Sequence, residues 1–155
     1  MDKLYRKLER IMRGKIVIVG IGDRLRGDDG AGCKFIEELK KAEKLRFSQI
    51  YLLDGGQVPE NYIEVIAKIK PDKIFIVDSA DFGGSPGEVR LIEEVEPDLS
   101  FSTHTLSLSF VVDYLRKKTG AKIFILGIQP RKLGWGNGLS SEVRKAVKDL
   151  AAKLI

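Results

Sequence analysis

Three acidic positions and one histidine are where this chain carries groups able to do chemistry. Asp28 and Asp29 follow the glycine turn of KIVIVGIGDRLRGDDGAG (residues 15–32), Asp78 ends the apolar run IFIVD, and His104 lies in FSTHTLS. His104 is the only histidine among 155 residues, so any imidazole chemistry must come from it. Two carboxylates and one imidazole suit a borderline divalent cation such as nickel, zinc or cobalt, and leave positions open for substrate or water. We therefore expect Asp29, Asp78 and His104 to meet in one cleft and hold a divalent metal, with Asp54 of the Asp54-Gly55-Gly56 turn as an accessory candidate. Each residue also has a plainer reading. Asp28 suits a helix N-cap, and Asp29 one position later gains from the helix dipole. Asp78 could be a solvated turn acid, Asp54 a turn former, and His104 a hydrogen-bonded surface residue.

The elements that must position these groups follow from the hydrophobic pattern. Residues 2–13 read as a short amphipathic helix, with Leu4, Leu8 and Ile11 on one face, ended by Gly14. Residues 15–20 form a first strand, apolar without alternation at Ile16 to Val19, so both of its faces should be covered. A helix capped by Asp28 runs to about Lys44, and residues 49–53 form a second strand. A helix over about 60–69 leads to a third strand, 73–77, ending at Asp78. EVRLI (88–92) alternates as an antiparallel edge strand should. Ser102 or Thr103 caps the next helix, which ends at Gly120; KIFILGI (122–128) is the last buried strand. Ser140 or Ser141 caps the closing helix. This order describes one domain over residues 1–155, a three-layer α/β/α sandwich. Its sheet is mostly parallel and five-stranded with one antiparallel edge strand, in the phosphorylase/hydrolase-like manner. In such sheets the ligand crevice lies outside the carboxyl ends of the strands, where Asp28, Asp29, Asp54 and Asp78 fall.

Composition excludes several classes. The net charge of +5 raises the question of nucleic acid, but Lys and Arg alternate with Glu, as in Arg6-Lys7-Leu8-Glu9-Arg10 and Glu37-Glu38-Leu39-Lys40-Lys41. That is a solvated, ion-paired helix face, not a basic stripe, so no nucleic-acid partner is expected. The longest apolar runs are strand-length, far short of the roughly 18 residues of a membrane span. The charged N-terminus is a poor secretory signal, and a cytoplasmic monomer is expected. Cys33 is alone, which fits a small buried hydrophobe. In a dinucleotide fingerprint the third glycine after Gly20 and Gly22 would fall on Leu25. The helix entrance also presents carboxylates that would repel a phosphate. No G-x-S-x-G elbow or H-E-x-x-H helix is present, so hydrolysis would need water attacking a metal-polarised electrophile. The loops 81–87 and 129–138, the latter with Arg131, Lys132 and Trp135, are candidates for gripping a partner.

Taken together, GIGDRLRGDDGAG, DGG, IVDSAD, THTLSL and the late LGIQP resemble the [NiFe]-hydrogenase maturation proteases. LGIQP and VDSADFGGSPGEVRLI look closest to the branch serving the formate-hydrogenlyase type of hydrogenase. The likeness spans about residues 15–154 and leaves the N-terminal helix outside. It implies an endopeptidase that removes the C-terminal extension of the hydrogenase large-subunit precursor once nickel has been inserted. It also implies that Asp29, Asp78 and His104 recognise nickel already held by that substrate, with no permanently bound cofactor. By the same likeness Asp54 occupies the DGG position. Asp23 stands where an Asn is often found. The alternative on the same residues is a non-catalytic metal-binding or metallochaperone-type module.

Overall fold

In the computed structural model of the protein, residues 2–155 are described except 48, 97–98, 103–106, 132–135 and 137, with Asp2 described through its backbone alone. The centre of the molecule is β1 (Ile16–Ile21), buried along its whole length. Successive side chains of a strand point to opposite faces, and here both faces meet helices. Ile16 and Ile18, with Phe75, Val77, Phe124 and Leu126 of neighbouring strands, pack into one core with α1 (Asp2–Ile11), α2 (Ala31–Lys40) and α5 (Ser141–Leu154). Val17, Val19 and Ile21, with Ile74, Ile76, Ile123 and Ile125, pack into a second core with α3 (Ile63–Ile69) and α4 (Leu108–Thr119). An apolar run without alternation thus produces a strand sandwiched between helices.

The sheet runs β2-β1-β3-β6-β4, where β2 is Ile50–Gly56, β3 Lys73–Asp81, β4 Val89–Ile92 and β6 Lys122–Ile128. β1, β2, β3 and β6 are parallel and β4 pairs antiparallel with β6 at the edge, so the expected three-layer architecture is found. Phe75 and Phe124 are register partners whose rings stack at 5.1 Å between centroids, joining the two central strands through one core. A sixth, two-residue strand, β5 (Ser100–Phe101), was not expected; it pairs antiparallel with Ala80 and Asp81. Because of that pairing β3 continues three residues past Asp78 instead of ending at it.

Other boundaries also differ from expectation. The DGG segment lies inside β2, not in a turn after it, and α2 ends at Lys40. α4 starts at Leu108, where the Ser107 hydroxyl accepts a hydrogen bond from the Phe110 amide at 3.3 Å. Ser102 does not cap it. The helix closes on Gly120 with φ 70°, a left-handed conformation glycine adopts without steric cost. α1 docks on the first core through Leu8, with Met12 just past its end in the same core, and Glu9 pairs with Arg46 at 2.7 Å. No helix among the described residues is long and apolar enough to cross a membrane.

Candidate functional site

The turn after β1 brings Asp29 to the carboxyl end of β3 because two glycines permit it. Gly22 has φ 139°, and a Cβ there would lie 1.9 Å from the Asp29 carbonyl oxygen. Gly32, in the first turn of α2, approaches the sheet so closely that a Cβ would lie 2.0 Å from the Val77 carbonyl oxygen. Helix and sheet therefore touch main chain to main chain directly beside Asp78. Asp28, Asp29 and Gly30 form a short 3-10 turn leading into α2, and all three are buried.

Two buried acids meet at this edge. Asp29 is 3 % exposed and its Oδ1 accepts from the Ser79 hydroxyl at 3.4 Å. Asp78 is wholly buried; it accepts from the Ser102 amide at 3.0 Å and from the Ser102 hydroxyl. Burial pushes the Asp78 carboxyl well above the usual carboxylate range. The Ser102 hydrogen bonds pull the other way, and the negative charge of Asp29 adds to the rise. The two acids thus feel each other's charge although 49 positions separate them in the chain. A buried pair of carboxylates with a charge-disfavouring environment is a frequent signature of functional sites.

His104 lies outside the described residues, as do Lys132 and Trp135. Among the described residues no group of three or more His, Cys, Asp and Glu side chains is disposed to hold a metal. The structure brings together two members of the expected set. The donor chemistry of those two is right for a divalent cation, because carboxylates serve borderline ions and a third ligand of imidazole type completes a familiar set.

Asp54 is held elsewhere. Its Oδ2 lies 2.5 Å from a guanidinium nitrogen of Arg24, and its Oδ1 accepts from the Gly56 amide at 3.2 Å. Burial works against its charged form, but Arg24 outweighs this and keeps the carboxyl below the usual range. Arg24 also holds Glu37 at 2.8 Å, so one guanidinium bridges β2 and α2. Cys33 lies beneath this cluster, fully buried, with Sγ 3.6 Å from the Gly22 carbonyl oxygen. Desolvation, and then the negative charge of Asp54, push its thiol up to about 12. It is therefore neutral at physiological pH and no nucleophile. In native protein at pH 8, iodoacetamide should leave Cys33 unmodified over hours, and modify it at once in guanidinium chloride. Mass spectrometry reads both; rapid native alkylation would contradict the buried assignment.

Asp28 is not a helix cap. Its carboxylate accepts from the Arg131 amide at 2.9 Å, the Ser140 amide at 2.7 Å and the Ser140 hydroxyl at 2.8 Å. Arg131, a candidate for gripping a partner, pairs with Glu142 of α5. Gln129 is a functional-edge residue that hydrophobic patterning does not single out. Its side-chain oxygen accepts from the Phe82 and Gly84 amides at 3.0 Å each, and its nitrogen donates to Asp81 at 3.1 Å. The 81–88 rim is held by one buried amide. Its signals in the sequence are its place in LGIQP and a polar residue directly following a buried strand.

Known proteins share this architecture. The family model HycI, hydrogenase maturation protease, matches residues 33–155. A Methanocaldococcus jannaschii relative, a putative hydrogenase maturation protease by name, is 40% identical over 147 residues, covering 91% of this chain and 86% of that one. The Escherichia coli K12 hydrogenase 3 maturation protease is 34% identical over 140 residues, covering 89% and 87%. The crystal structure of the [NiFe] hydrogenase maturation protease HycI from Thermococcus kodakarensis superposes with a TM-score of 0.83 at 35% identity, covering 94% of each chain. The family model, the relatives and the shared fold agree: the chain belongs to the hydrogenase maturation protease family.

Proposed function

We propose that this protein is the endopeptidase that removes the C-terminal extension of a [NiFe]-hydrogenase large-subunit precursor after nickel insertion, and that it serves a hydrogenase of the formate-hydrogenlyase type. The observation that carries this reading is the buried, electrostatically coupled pair Asp29 and Asp78 at the carboxyl edge of the sheet. Asp29, Asp78 and His104 would complete the coordination of a nickel ion already held by the substrate. Ser102, which is hydrogen-bonded to Asp78, stands two residues before His104 in the chain. The nickel belongs to the precursor, so recognition tests whether insertion has occurred.

The chain's own residues have clear tasks in this scheme. Asp78 is held in one orientation by two donors from Ser102, and Ser79 orients Asp29. The scissile peptide is attacked by water, with polarisation by the substrate's nickel or general-base help from a carboxylate supplying the activation. The test is direct. Nickel-loaded and nickel-free precursors are incubated with the protein, and the mass of the large subunit is followed. Cleavage of the loaded form alone is expected. Binding of the loaded form without cleavage would overturn the peptidase reading in favour of a metal-binding module, and equal cleavage of both would overturn nickel recognition.

A further inference from the structure

The turn that leads from β1 to Asp29 carries an apolar side chain at its tip. Leu25 is 58 % exposed, more than any other large hydrophobic side chain among the described residues. Single exposed leucines are ordinary on a protein surface, so exposure alone decides nothing. Turn tips usually take Gly, Pro, Asn, Asp or Ser, however, and here a leucine stands between Arg24 and Arg26.

What sets Leu25 apart is the fixed main chain beneath it. Its amide donates to the Asp23 carboxylate at 2.9 Å, and its carbonyl accepts from the Gly136 amide at 2.9 Å. The Arg26 amide donates to the Asp23 carbonyl at 3.1 Å. On the preceding residue, the Arg24 guanidinium is held by Asp54 of β2 and Glu37 of α2. A side chain on so rigid a support loses little freedom on contact, and such preorganisation raises affinity by cutting the cost of binding.

Position supplies the partner. Leu25 stands four residues before Asp29, so at most about 14 Å of extended chain separates the two. A standard protein interface covers about 800 Å² on each side, equal to a disc about 16 Å in radius. A protein that centres its cation on Asp29 therefore covers Leu25 as well, whereas a free metal ion would leave it in water.

We infer that Leu25 is a docking anchor for the large-subunit precursor, its side chain entering an apolar depression on that protein near the nickel. The inference rests on the endopeptidase reading above. The contact is the same in the bound state and the transition state, so it serves binding and not the chemical step.

The test compares wild type, Leu25→Ser, Leu25→Met and Val65→Ser in steady-state cleavage of nickel-loaded precursor, with the melting temperature of each. Val65 is the control, an apolar side chain 45 % exposed on α3. Leu25→Ser should raise KM about tenfold, equivalent to about 1.4 kcal/mol, with kcat within about twofold of wild type. Its melting temperature should stay within about 2 °C, because no buried contact is lost. Leu25→Met restores an apolar side chain of similar volume and should bring KM back to within about threefold. Val65→Ser should change neither constant. An unchanged KM in Leu25→Ser, no rescue by Leu25→Met, an equal rise in Val65→Ser, or a fall in kcat at constant KM would each overturn the inference and leave the endopeptidase reading standing. A wild-type protein that cleaves no precursor would overturn that reading, and this inference with it.

Discussion

Asp78→Asn is expected to abolish precursor processing and, at the same time, to raise the melting temperature at pH 7. The carboxyl is wholly buried, and burial, aided by the charge of Asp29, pushes it well above the usual carboxylate range. A group whose folded pKa is raised favours the folded state while it is protonated. That contribution is complete below the unfolded value of about 3.9 and is lost as pH rises through the folded value, because the native state then holds a proton the unfolded chain has released. Asparagine keeps the shape, still accepts from the Ser102 amide and carries no charge to bury. The variant should therefore melt above wild type at neutral pH, each kcal/mol gained being worth about 2–4 °C for a chain of this size. Cleavage should fall by about 10²–10⁴-fold or beyond, the range that a positioned acid or base contributes. Calorimetry and a processing assay read the two effects. A variant less stable than wild type, or one that still processes, would contradict the role of Asp78 as a costly buried acid kept for function.

Gly32→Ala should place a strongly damaging methyl group at the carboxyl edge of the sheet. Its Cβ would fall 2.0 Å from the Val77 carbonyl oxygen and 2.5 Å from the Ile21 carbonyl oxygen, both main-chain atoms of central strands. A flexible side chain could swing aside; these atoms cannot, so α2 must move off the sheet. Overpacking of this sort costs about 1–3 kcal/mol, and a main-chain clash belongs at the upper end. The melting temperature should drop by about 6–12 °C at about 2–4 °C per kcal/mol. The shift of α2 also carries the Asp28–Gly30 turn away from β3, so processing should fall at 25 °C even where the variant remains folded. Melting within about 2 °C of wild type together with normal processing would show that the helix does not set the position of Asp29.

Much of this architecture was legible because burial on both faces leaves an unmistakable mark. The runs Ile16–Val19, Ile74–Val77 and Ile123–Leu126 are apolar at every position, and only a strand covered twice needs that. The preference of ligands for the carboxyl edge of such sheets pointed to Asp28, Asp29, Asp54 and Asp78 together, without separating them. What escaped the sequence depends on side-chain direction and on contacts distant in the chain. Asp28 and Asp29 look interchangeable in DDG, yet the 3-10 turn sends one toward Arg131 and Ser140 and the other toward β3. Ser102 has good capping chemistry, but Asp78 claims its amide and hydroxyl, and Ser107 caps α4 in its place. β5 is two residues long, below any periodic signal. Phe110 and Tyr114 would have been natural core choices, but their rings stack on one another at the surface, while Leu108, Val111, Val112 and Leu115 face the core.

The central claim is that Asp29, Asp78 and His104 converge on one cation. Because His104 is the only histidine, its ring nitrogens give one unambiguous pair of signals in protein labelled with 15N-histidine. Titration with zinc, a diamagnetic stand-in for the nickel of the precursor, should shift one ring nitrogen in wild type, and the shift should vanish in Asp29→Asn and in Asp78→Asn. An imidazole that ignores millimolar zinc in wild type, or that binds it equally well in both variants, would contradict the account.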